Sequence, residues 1–73
     1  MLQTYRVIAP FSAMERYRES LWIEGFEAGD LLVVIESEEG QTTFSRWVDA
    51  APLDDRRQFI LSNEGFENYT KAE

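Results

Sequence analysis

Short runs of apolar residues, and one run of alternating residues, predict an all-β chain. Residues 5–11 are rich in β-branched and aromatic side chains, and Pro10 interrupts regular pairing near the end of this first predicted strand. Residues 31–35 are five consecutive apolar positions, which predict a strand covered on both faces. Residues 42–50 alternate as a half-buried strand does, and residues 56–62 form the fourth predicted strand.

Turn signals separate these predicted strands. Gly29 precedes the buried run, and residues 36–41 form a hairpin loop in which Gly40 supplies a positive φ. Residues 51–55 make the next turn. Residues 63–69 carry two aromatic side chains, which predict one helical turn that places Phe66 in the core, and the last residues form a short edge strand.

Residues 12–22 allow two interpretations. Ser12 and Glu15 have the spacing of a capping box, and the apolar residues that follow fall at roughly helical intervals, which favours a short helix. The alternative is a long irregular loop whose apolar side chains fold back onto the core. The pattern alone leaves both open.

Length and composition limit the class of protein. The chain has 73 residues, enough for a single small domain over residues 1–73, whose stability we expect to be marginal. Cysteine and histidine are both absent, so the usual thiolate and imidazole ligands and the commonest general base are missing. We therefore predict no enzyme activity, no metal and no cofactor. The sequence has no long apolar segment, which predicts a soluble protein, and the absence of cysteine favours an intracellular, cytoplasmic location.

The negative charge is concentrated in one segment. The net charge is −7, and the window from Glu19 to Glu39 has seven acidic residues and no lysine or arginine, whereas the rest of the chain has seven of each sign. Such a segment repels phosphates and attracts cations, so we expect no direct binding to nucleic acid. A solvated, solubilising surface is the alternative interpretation.

The order of these elements resembles a Src-homology-3-like barrel. A first strand ending in an aromatic residue is followed by a long loop, then by Phe26-x-x-Gly29-Asp30 leading into an apolar strand. Two hairpins follow, and then a helical turn ending in Asn68-Tyr69. The resemblance covers nearly the whole chain and implies a five-stranded small barrel with a long first loop and a short helical turn near the C-terminus.

The resemblance also implies a binding surface. Peptide-binding members of that family hold their ligand on aromatic residues beside acidic residues of the first loop. By resemblance, the corresponding partner-binding residues here are Phe11, Glu15, Glu19, Glu24, Trp47 and Tyr69. Trp22 is a further candidate, because an aromatic residue in the loop either plugs the end of the barrel or contacts a partner. The family's tyrosine two residues before Phe11 is Ala9 in this chain, and its proline before Asn68 is absent. The expected ligand is therefore a cationic protein or peptide rather than a proline-rich one.

Three functional hypotheses follow. The first is a non-enzymatic adaptor or binding module that recognises such a partner. The second is a small acidic inhibitor from a mobile element whose carboxylates imitate nucleic acid. The third is a structural protein that forms a homo-oligomer through exposed aromatic residues. Whether Trp22 and Trp47 belong to the core or to the surface is left open by the sequence.

Overall fold

A computed structural model describes residues 3–16, 23–47 and 57–73. Their strands and single helix occur in the order β1 (Thr4–Val7), β2 (Phe11–Glu15), β3 (Ile23–Phe26), β4 (Leu31–Glu38), β5 (Gln41–Arg46), β6 (Phe59–Ser62), α1 (Asn63–Tyr69) and β7 (Thr70–Ala72). The all-β prediction is confirmed. The five-strand detail is not confirmed, because within the described residues seven strands form one antiparallel sheet in the order β3-β2-β6-β5-β4-β1-β7. In the described residues, no helix is long and apolar enough to cross a membrane.

A short connection forces the sheet to curl. β1 and β2 are joined by only residues 8–10, yet three other strands lie between them in the sheet. At ~4.8 Å per strand, β1 and β2 would stand ~19 Å apart if the sheet were flat. The chain from Val7 to Phe11 can extend at most ~14 Å. The sheet therefore bends round and brings its two outer parts together at this connection.

The concave face of the curled sheet holds the core. Phe11, Ala13 and Glu15 alternate inward along β2, and the strand registers place the inward residues of the other strands opposite them. All five phenylalanines of the chain are buried in one cluster with two aliphatic residues and one alanine: Phe11, Phe26, Phe44, Phe59, Phe66, Val7, Leu32 and Ala13. Phe66 reaches this cluster from α1, as predicted, although α1 is a seven-residue helix and not a single turn.

The structure differs from both sequence-based interpretations of residues 12–22. Residues 12–15 are neither helix nor irregular loop but part of β2, which pairs with β3 through Phe11–Phe26 and Met14–Ile23. The short predicted helix is therefore wrong over these four residues. The remaining part of that prediction, residues 17–22, lies outside the described residues.

The prediction that residues 42–50 are half buried is also wrong for the part described. β5 begins at Gln41, and the residues from Thr42 to Ser45 are all buried. The outward Thr43 hydroxyl accepts a hydrogen bond from Arg16 at 2.9 Å, and the outward Ser45 hydroxyl donates to the backbone oxygen of Arg57 at 2.7 Å. Arg16 and the backbone at Arg57 therefore cover the Thr43 and Ser45 face of β5, which the alternating pattern predicts to be exposed to solvent. Residues 48–56, which include the predicted 51–55 turn, lie outside the described residues.

Two turns fix the register of the central strands. The β4–β5 turn consists of Glu39 and Gly40, both with positive φ (49° and 81°), the geometry of a type I′ hairpin turn. Gly40 therefore has the backbone conformation that its position predicted. Gly29, at φ 100°, donates its N–H to the backbone oxygen of Val7 at 2.8 Å and ties the turn before β4 to the end of β1.

The final strand closes the other edge. Tyr5 of β1 lies opposite Ala72 of β7, and the backbone N–H of Glu73 donates to the oxygen of Thr4 at 3.1 Å. Arg6 forms an ion pair with the Glu73 carboxylate at the same place. β7 is thus the edge strand that the sequence predicted for the end of the chain.

Candidate binding surface

Three stacked aromatic rings mark the place where the sheet closes. The rings of Phe11 and Tyr69 lie 5.5 Å apart between centroids, at an interplanar angle of 17°. Phe11 and Phe26 stack in the same way, at 5.1 Å and 17°. Phe11 is buried between its neighbours, whereas Tyr69 is 38% exposed. Of the predicted aromatic positions, Phe11 and Tyr69 therefore lie together, and the Tyr69 ring is the part of the stack that is exposed to solvent.

A shallow groove runs beside this stack. Its volume is about 370 Å³, and it is lined by the turn into β2 and by the end of β3: Pro10, Phe11, Ser12, Gly25, Phe26 and Glu27. Glu27 is exposed and makes no ion pair with the residues that the structure describes. The groove therefore combines aromatic walls with a carboxylate that is open to a ligand.

The predicted first-loop acids have a different environment. The Glu15 side chain is only 5% exposed, and Arg57 holds its carboxylate through two hydrogen bonds, Nε to Oε1 at 3.1 Å and Nη2 to Oε2 at 2.9 Å. These bonds raise the pKa of the Arg57 guanidinium above its usual value. Glu24 faces both Arg57, at 3.6 Å, and Arg46, at 3.4 Å. Both acids are therefore already neutralised by arginines of the chain itself.

Arg46 joins the acids to the aromatic stack. Its guanidinium carbon lies 4.3 Å from the centre of the Phe26 ring, and its nitrogens donate to the Gly25 backbone oxygen and the Asp30 carboxylate, both at 2.9 Å. The backbone N–H of Glu27, at 3.0 Å, and the Arg46 guanidinium hold the pKa of Asp30 below its usual value, although burial opposes them. Arg46 therefore contacts Phe26 and the Gly25 backbone, which both line the groove.

The charge of the acidic segment is consequently distributed in a way that the sequence did not indicate. Arginines from outside the segment pair with Glu24, Asp30 and Glu36. Within the described part of the segment, the carboxylates without an ion pair are those of Glu27, Glu38 and Glu39. A window of acids in sequence is thus not a uniform acidic surface in space.

The remaining predicted positions are placed only in part. Trp47 follows β5, is 44% exposed, and donates its backbone N–H to Leu31 at 2.8 Å, so it lies at the surface rather than in the core. Glu19 and Trp22 lie outside the described residues. No set of three or more acidic residues in the described ranges is arranged to hold a metal ion.

Sequence reasoning missed Phe26, Glu27, Arg46 and Arg57 as parts of this surface. Phe26 was recognised only as part of the turn before the buried strand. Its spacing of two residues from Glu24, which places both side chains on one face of β3, could have identified it as a neighbour of the predicted acids. The arginines gave no local signal, because each pairs with acids at least 16 residues away in sequence.

Comparison with protein-family models, with curated proteins and with solved structures gives no match for this chain.

Proposed function

We propose that this protein is a non-enzymatic binding module that recognises a cationic protein or peptide at the groove beside the Phe11–Tyr69 stack. One observation carries the proposal: Glu27, whose carboxylate makes no ion pair with a described residue, lines the groove together with Phe11, and the exposed ring of Tyr69 stacks on Phe11. Aromatic faces and carboxylates both attract a guanidinium, the first through the π system and the second through charge-assisted hydrogen bonds. An arginine of the partner satisfies both.

We propose a Src-homology-3-like architecture for the barrel. β1, β4, β5, β6 and β7 follow one another in the sheet as the five strands of such a barrel would, with α1 between the last two. β2 and β3 are then the two arms of the long first loop, paired as a hairpin that extends the sheet beyond β6. On this assignment, the groove lies at the base of the first loop.

The paired acids have a supporting role in this proposal. A ligand cation that bound Glu15 would first have to displace a bidentate arginine from a nearly buried carboxylate, which is costly. Glu15 and Glu24 therefore hold the first-loop arms in place, and Glu27 makes the contact with the ligand. The chain's net charge of −7 adds a long-range attraction that salt weakens.

The test uses arrayed ten-residue peptides that contain one arginine, each matched with a peptide in which glutamine replaces that arginine. We expect arginine peptides to bind more tightly than their partners, and their affinity to fall between about 0.01 M and about 1 M salt. Tyr69→Ala and Glu27→Gln should each weaken binding about tenfold, whereas Glu38→Gln, at the far end of β4, should not. Thermal melts establish that the variants are folded. Equal binding of both peptide sets, or wild-type affinity in both groove variants, overturns the proposal.

A structural role is the second candidate, because one edge of the sheet is apolar. Ile23, 64% exposed on edge strand β3, lies opposite Met14, 40% exposed on β2. An exposed apolar edge of this kind is suited to pairing with a second copy of the chain. Sedimentation over a range of concentrations tests this, and Ile23→Lys should dissociate any dimer formed in this way. The nucleic-acid mimic receives less support, because three acids of the segment form ion pairs with arginines of the same chain.

A further inference from the structure

A second cavity lies at the other end of the concave face, between α1 and the sheet. Its volume is about 390 Å³, and it is lined by residues of β1, β4, β5, α1 and β7: Tyr5, Val34, Ser37, Thr42, Asn63, Phe66, Glu67, Thr70, Lys71 and Ala72. This volume falls within the range of small-ligand sites, roughly 300 to 1,000 Å³. None of the residues lining the groove beside the Phe11–Tyr69 stack contributes to it.

The floor of the cavity is apolar. Tyr5 and Val34 are partly buried against the phenylalanine core, and the Tyr5 ring packs edge-on against Phe66, with centroids 5.1 Å apart and an interplanar angle of 72°. Phe66 itself is 5% exposed. A ligand body placed here would lose contact with water against aromatic and aliphatic carbon.

The polar side of the cavity presents hydrogen-bond acceptors. The hydroxyls of Ser37 and Thr42 donate to Asn63 Oδ1, at 3.3 and 2.6 Å. Each hydroxyl oxygen that gives up its hydrogen in this way keeps its lone pairs as acceptors. Asn63 thereby takes up the hydrogens of two lining hydroxyls, whose oxygens can then act as acceptors.

Glu67 adds a charged acceptor on the same side. It follows Asn63 by four residues in α1, so the two side chains lie on one face of the helix. Its carboxylate is exposed and makes no ion pair with any described residue. Lys71 also contributes to the lining of the cavity, but it makes no ion pair with Glu67. In the β1–β7 register Lys71 lies opposite Arg6, on the other face of β7 from Ala72, which shares its face with Tyr5.

We infer that this cavity binds a small organic cation, namely a primary ammonium attached to an apolar body. An ammonium has three N–H donors, and Glu67, Ser37 and Thr42 supply three acceptor groups on one side of the cavity. The apolar body packs against Tyr5 and Val34. A net charge of −7 favours a cationic ligand over an anionic one.

The experiment follows backbone amide shifts by NMR while phenethylammonium is added to the full chain. We expect saturable shifts at residues lining the cavity, with a dissociation constant in about the millimolar range for a ligand of this size. 2-Phenylethanol, which keeps the body and lacks the charge, should bind at least about tenfold more weakly. Shifts that do not saturate, that lie elsewhere, or that are equal for the alcohol overturn the inference.

Matched variants assign the ammonium to its acceptor. Glu67→Gln should weaken binding about tenfold, whereas Glu64→Gln, on the same helix and outside the cavity, should leave it unchanged. Equal affinity in both variants overturns the assignment to Glu67 and with it the inference. Tyr69→Ala should leave phenethylammonium binding unchanged, so the failure of this site and that of the peptide groove are distinguishable.

A further arm identifies the source of the ammonium. Nα-acetyl-lysine N-methylamide presents the same group as a side chain of a protein. If it produces the same shifts with comparable affinity, the natural ligand is a lysine of a partner. If only phenethylammonium does so, the ligand is a free amine. Both results are consistent with recognition of an ammonium group. If neither compound binds, the inference is overturned.

Discussion

Arg57 holds Glu15 in a two-bond ion pair in which the acid is nearly buried and the base is 44% exposed. This asymmetry means that the two partners are not equivalent in energy. If the arginine is removed, a nearly buried carboxylate loses both of these charge-assisted hydrogen bonds. If the acid is neutralised, the arginine remains in contact with water.

The first prediction follows from this asymmetry. Arg57→Gln should destabilise the fold by about 3 kcal/mol, because it removes the two-bond cationic partner of a nearly buried carboxylate. Glu15→Gln should cost about 1 to 2 kcal/mol, since only hydrogen bonds are weakened. Urea unfolding of both variants measures the difference. Glu36→Gln, which disrupts a more exposed pair with Arg16, is the control and should cost less than about 1 kcal/mol. A larger cost for Glu15→Gln than for Arg57→Gln would contradict the explanation.

The second prediction concerns the β4–β5 turn. Gly40→Ala should destabilise the protein by about 1 kcal/mol, because φ is 81° at this position and a Cβ disfavours that conformation. Gly25→Ala is the matched control. A Cβ at Gly25 meets no atom within 4 Å, and the backbone there is not left-handed, so its effect should be close to zero. Equal losses of stability in the two variants would show that the turn conformation is not the cause.

The third prediction concerns acid stability. The folded pKa of Asp30 is lowered, so its ionised form is favoured by folding, and that contribution is present above the unfolded pKa of about 3.9. It is lost as the pH falls from there through the lower folded pKa. Asp30→Asn should therefore reduce stability at neutral pH and flatten the loss between about pH 5 and pH 2. Melting temperatures across this range test it, with Glu64→Gln as the control. If the melting temperature of the Asp30 variant fell with decreasing pH as steeply as that of the wild type, Asp30 would not be the source of this pH dependence.

The fourth prediction concerns the start of α1. Ser62 caps the helix by accepting a hydrogen bond from the Gly65 N–H at 3.1 Å. Ser62→Ala should cost about 1 kcal/mol of stability, and Ser62→Asp should retain most of it, because aspartate caps equally well. Ser12→Ala, at an exposed position of β2, serves as the reference. If Ser62→Ala and Ser12→Ala had the same melting temperature, the cap would not contribute to stability.

Local rules explain which elements could be predicted. The positive φ of Gly40 and the burial of Phe66 each depend on a few neighbouring residues, and both predictions are confirmed. β2 was missed because its inward positions end in Glu15, an acid that hides the alternation of Phe11 and Ala13. Arg57, 42 residues later, pairs with that acid inside the fold. No sequence window contains both.

The same limit applies to the candidate surface. Phe11 and Tyr69 were identified through the resemblance to a known class of barrel, and they do lie together. The acids were chosen from their position in the first loop, and their pairing depends on arginines that follow β4 in the chain. Charge along a sequence therefore says little about which carboxylates remain available to a ligand. Among the described residues, Glu24 pairs with two arginines and Glu27 with none.

The position of β1 has a consequence for the order of assembly. β1 lies between β4 and β7, and Tyr5 is aligned with Ala72, from nearly the opposite end of the described chain. During synthesis, β1 is made well before β7, so one of its two edges has no backbone partner until β7 emerges. Folding should be slow for so small a chain, as expected where contacts are distant in sequence. A truncation after Ser62 should leave β1 with a bare edge and a tendency to associate with other chains.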